Sequence, residues 1–172
     1  MDAALNRRRL LKTVTFAFTN LALPAAEPNA PLFFSKDEFA LLDALTELII
    51  PTDGHSPGAR SAGVALYIDR AVAESFLPEE KSSWTKGLAL VDRLSQDRYG
   101  IPFLNIARVR QESLLQLMAE SEFHADTDAE RFFGQLKETT AFAYYSSSVG
   151  IHEDIQYKGN TILEQFQGYD AT

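Results

Sequence analysis

The chain is 172 residues long, 45% hydrophobic and 23% charged, with a formal net charge of -8 at neutral pH. That is enough chain for one domain with a real core, in the mixture of a globular rather than a disordered protein, and its acidity argues against nucleic acid as a partner. Cysteine is absent, and with it go disulfides, thiolate nucleophiles, iron–sulfur ligation and covalent haem attachment.

Residues 6–26 read NRRRLLKTVTFAFTNLALPAA. Arg7 and Arg8, followed by Arg9, Leu10, Leu11 and Lys12, precede a run kept only mildly apolar by Thr13, Thr15, Thr19 and Asn20. This is the order of a twin-arginine (Tat) export signal, a route taken by proteins that fold before they cross. Segment 1–26 is therefore read as a signal and 27–172 as the domain, with processing expected near residues 25–30. The run is broken by Pro24 and falls short of the roughly 18 to 20 apolar residues that a spanning helix needs. Its removal takes away four cations and one carboxylate, leaving a net charge of about -11.

The remainder reads as helices. Ser35 with Glu38 forms a capping box ahead of a helix over 36–50, along which Leu41, Leu42, Leu45, Leu48 and Ile49 recur at helical spacing until Pro51. A second helix over 63–76 places Val64, Ile68, Ala71, Val72 and Phe76 on one face. Pro78 opens a third, with Trp84, Leu88, Val91 and Leu94 in a stripe that stops at Tyr99 and Gly100. Asn105 is read as the cap of a fourth, with Val109, Leu114, Leu117 and Met118 inward, and Thr127 with Glu130 as the capping box of a fifth over 128–146. No period-two alternation, hairpin signal or fixed repeat accompanies them. The expected fold is all-α, a single helical domain of about five helices, with long irregular segments at Pro51–Gly63 and Ser147–Thr172.

Catalytic patterns are sparse. PTDGHSPGARSAG, residues 51–63, lacks the Gly-Lys-Ser/Thr ending of a phosphate loop, and Gly58 and Gly63 read as chain-bending positions with positive φ. His55, His124 and His152 are the only histidines and none is spaced to share a helix face. Asp53 with His55 reads as turn chemistry, Glu153 with Asp154 as a solvated turn or helix start, and Ser146, Ser147 and Ser148 lack a nucleophile elbow. No catalytic, cofactor-binding or metal-binding residue is expected.

The fifth helix is more informative. At about 100° per residue, Phe132, Phe133, Leu136, Thr140, Ala143 and Tyr144 share one face, and Arg131, Gly134, Gln135, Lys137 and Glu138 the other. Phe142 and Tyr145 break out of that polar side. The last turn and a half is thus apolar almost all round, and either residues 147–172 or a partner protein must cover it.

Two stretches, LIIPTDGHSPGARSAGVALYID (48–69) and YYSSSVGIHEDIQYKGN (144–160), resemble the most recognisable segments of the gluconate 2-dehydrogenase subunit 3 family. The resemblance implies a largely helical, non-catalytic companion of a flavoprotein dehydrogenase large subunit that oxidises a sugar or sugar acid. FAD would belong to that large subunit and haem c to a cytochrome c subunit. This chain would bind the folded, FAD-loaded partner, lend it the signal read by the Tat translocase, and end in the periplasm, membrane-associated through the complex. The expected partner surface is Phe142, Tyr144 and Tyr145 with the segment from Gly150 to Asn160, including Ile151, Tyr157 and Gly159, and a second contact at Pro57, Gly58, Ala59 and Arg60. Two readings from other classes are a free-standing exported small-ligand-binding module and a self-sufficient enzyme.

Overall fold

A computed structural model describes residues 30–120, 125–157 and 159. Within them run α1 (Lys36–Ile49), α2 (Val64–Glu74), α3 (Pro78–Tyr99), a 3₁₀ turn (Phe103–Asn105), α4 (Arg108–Ala119), α5 (Asp128–Tyr145) and a π-helical turn (Gly150–Asp154). No strand occurs among the described residues, and the domain is all-α. Arg7, Arg8, Leu10, Leu11, Lys12, His124 and Asn160 lie outside the described residues.

Both capping boxes form: Ser35 and Thr127 accept from the backbone N–H of Glu38 and Glu130, whose carboxylates accept in return from the cap backbone. Each satisfies donors that a helix start otherwise leaves orphaned. Three expectations are corrected. The second helix stops at Glu74 rather than 76, because Ser75 turns extended and Leu77 precedes a proline, a position that disfavours helical backbone. Phe76 is therefore not on a helix face, and it stands 98% exposed. Asn105 does not cap the fourth helix: it closes the 3₁₀ turn, its N–H donating to the Pro102 carbonyl, and Ala107 is the cap. Buried Phe103 anchors that turn, its N–H donating to the Asp92 carboxylate at 2.9 Å. The fourth helix consequently buries Leu114, Leu115 and Met118, while Val109 and Leu117 face out.

Helix α5 is central and packs against each of the other four. Its six expected inward residues, Phe132, Phe133, Leu136, Thr140, Ala143 and Tyr144, are all buried. The α3–α5 contact is close because Gly87 has no side chain: a Cβ there would run into the Phe132 ring. Phe132 meets Trp84 edge-on at 5.9 Å between centroids, and Trp84 in turn meets Phe34 at 6.4 Å, a geometry that aromatic quadrupoles favour.

Candidate functional site

The loop between α1 and α2 is a clamped structure. Asp43 and Glu47 lie one turn apart on α1 and hold it from one side. Arg60 Nε donates to Asp43 at 2.7 Å, and the Glu47 carboxylate accepts from the N–H groups of Thr52 and Arg60 and from the Thr52 hydroxyl. Burial works against ionisation of Glu47, but these hydrogen bonds and the Arg60 charge outweigh it and hold the carboxyl below its ordinary 4.5. Asp53 accepts from the N–H groups of His55 and Ser56, so Asp-x-His is an Asx turn. Those bonds hold its carboxyl below 3.8.

Gly58 is glycine for a reason other than positive φ. A Cβ there would strike the backbone at Pro51 and Thr52 and the Glu47 carboxylate, whereas Gly63 does take φ of 69°.

The far end of α5 closes onto this loop. Tyr144 is fully buried, and its hydroxyl donates to the Pro57 carbonyl at 2.6 Å. Burial pushes the Tyr144 hydroxyl up, opposed by a bond with Ser56 and helped by the charge of Asp154. The Ser147 hydroxyl donates to the Tyr144 carbonyl and accepts from the Gly150 N–H. Gly150 sits so close to the Tyr144 carbonyl that no Cβ fits. The π-helical turn then ends with the Tyr157 N–H donating to the Ile151 carbonyl, after Gln156 has taken φ of 55°.

Outside this joint the surface is aromatic. Phe142 is 62% and Tyr145 47% exposed, with Tyr67, Ile155 and Tyr157 also exposed. Phe142 lies against Tyr67 at 6.2 Å between centroids, which joins the α5 patch to the outer face of α2.

The loop from α1 to α2 and the joint at the end of α5 are the two segments whose order of residues is distinctive, and the tertiary structure ties them together. The sequence model of gluconate 2-dehydrogenase subunit 3 matches residues 36–161, spanning both. The chain belongs to that family. No curated protein and no solved structure matches it.

For a subunit 3 chain, the expected partner surface divides in two. Gly58, Ala59, Tyr144 and Gly150 are interior, since they are the parts that fit loop, helix end and π-helical turn together. Arg60, Phe142, Tyr145, Tyr157 and Gly159 are exposed, and Pro57 and Ile151 half-buried. Asn160 lies beyond the described residues.

Sequence reasoning missed Asp69. It is 1% exposed, and its carboxylate accepts from the N–H groups of Leu32, Phe33 and Phe34, the latter two at 3.0 and 2.9 Å. An acidic residue directly after Ile68, on the apolar face that Val64, Ile68 and Val72 define, was the available signal.

The grooves lie elsewhere. One of about 630 Å³ lies along the α3–α5 seam beside Lys86, Arg93 and Arg131, and one of about 270 Å³ runs along Leu48, Leu115 and Phe133. Among the described residues no cluster of His, Asp and Glu is placed to hold a metal, and no helix is long and apolar enough to cross a membrane.

Proposed function

We propose that this chain is the non-catalytic small subunit of an FAD-dependent sugar or sugar-acid dehydrogenase, acting as folding partner and twin-arginine export escort of the flavoprotein large subunit. The single observation that carries the reading is the exposed pair Phe142 and Tyr145 on the rigid end of α5, backed by Tyr67, in a chain whose family is that of a dehydrogenase subunit. Large exposed aromatics fixed on a rigid support are what the centre of a protein interface needs, because little side-chain entropy is lost on docking. The RRRLLK segment supports the export half. FAD belongs to the large subunit, and a cytochrome c subunit carries haem c onward. The complex works in the periplasm, and the interface buries well over about 1,000 Å² in total.

Co-expression with a flavoprotein dehydrogenase large subunit from the same genome tests this. The expected result is a complex that survives gel filtration, with flavin absorbance belonging to the large subunit. A chain that holds flavin or turns over substrate alone would overturn it.

A further inference from the structure

Two geometric facts set the start of the domain apart from the aromatic patch. On α2, Tyr67 and Asp69 are two residues apart, about 200° around the helix axis, and the structure puts one outside and one inside. Tyr67 touches Phe142 of the patch, whereas Asp69 grips Leu32, Phe33 and Phe34 from the opposite side. Along α5 the separation is longitudinal. Phe34 packs on Trp84, which packs on Phe132 in the first turns of α5. Phe142 lies ten residues further along the same helix, about 15 Å by helical rise. Lys81, with its ammonium over the Phe33 ring and bonded to the Ala73 carbonyl, further fixes the 32–34 segment at the α2–α3 corner.

We infer that the domain keeps its docking face and the point where its leader joins on separate sides, so that one chain holds its partner and presents its leader at the same time. This rests on the proposed escort role and gives it a spatial form. The partner covers Phe142, Tyr145, Tyr67 and Tyr157 and leaves Leu32 clear. The Asp69 grip matters here because it fixes the junction: three backbone N–H groups bound to one carboxylate stop the 32–34 segment from swinging across α2 towards the patch.

The absence of cysteine makes the test clean. Single variants Tyr145→Cys, Leu32→Cys and Leu77→Cys, all at exposed positions, are made in the full-length chain and labelled with a maleimide, free and in complex with the co-expressed flavoprotein. The expected result is at least tenfold slower labelling of Tyr145→Cys in the complex, with Leu32→Cys and Leu77→Cys labelled at their free rates. Protection of Leu32→Cys as strong as that of Tyr145→Cys would overturn the inference while leaving the escort role standing. Protection at none of the three in a complex that does form would overturn it as well, by moving the docking face elsewhere. Failure of any complex to form would remove the escort role itself and the inference with it.

Discussion

The hydroxyl of Tyr144 donates to the carbonyl of Pro57 at 2.6 Å across 87 residues of sequence, and this bond joins the end of α5 to the loop that leads into α2. In this chain the two segments are each other's packing surface. Tyr144→Phe keeps the ring and removes the bond, at an expected cost of about 1 to 2 kcal/mol. A denaturant midpoint lowered with an unchanged slope would show that stability alone has changed.

Asp69 holds three successive amides of the segment that begins the described fold. Asp69→Ala leaves these donors without their acceptor and is expected to cost about 3 kcal/mol or more, with Asp69→Asn intermediate because one carbonyl oxygen remains. Hydrogen exchange read at Phe33 and Phe34 checks it: protection there is expected to fall before protection in α5 does.

Much of this was legible beforehand. The capping residues Ser35 and Thr127 and the inward face of α5 follow from local rules, since capping and periodicity act within a few residues. The outward position of Phe142 and Tyr145 was legible for the same reason. Phe76, Val109 and Asn105 were misread because their surroundings are set by a pre-proline bend and by buried Phe103, which are decided by neighbours. The burial of Gly58, Ala59 and Gly150 was not legible, because close backbone approach leaves no periodic trace. Nor was the grip of Asp69, whose partners lie 35 to 37 residues away.

Acid should weaken the clamped loop. The carboxyl of Glu47 lies below its ordinary 4.5 in the folded protein. Its contribution is therefore fully present above that value and is lost as pH falls through the folded value. Asp53, likewise held below 3.8, acts in the same direction at lower pH. Unfolding midpoints measured from pH 6 to pH 3 are expected to fall, and Glu47→Gln is expected to start lower and to fall less steeply.

Phe142 and Tyr145 are both exposed rather than core residues, so Phe142→Ser and Tyr145→Ser should change the stability of the isolated chain by no more than about 0.5 kcal/mol. Affinity for the flavoprotein is expected to drop by about 2 kcal/mol for each, roughly 30-fold. Titration calorimetry beside thermal melts separates the two effects.

Export decides the central claim. With Arg7 and Arg8 both replaced by Lys, the charge of the leader is kept and the twin-arginine signature is lost. The large subunit is then expected to remain in the cytoplasm together with this chain, folded and carrying its flavin, when periplasmic and cytoplasmic fractions are assayed for flavin fluorescence. Normal appearance of the flavoprotein in the periplasm would contradict the account.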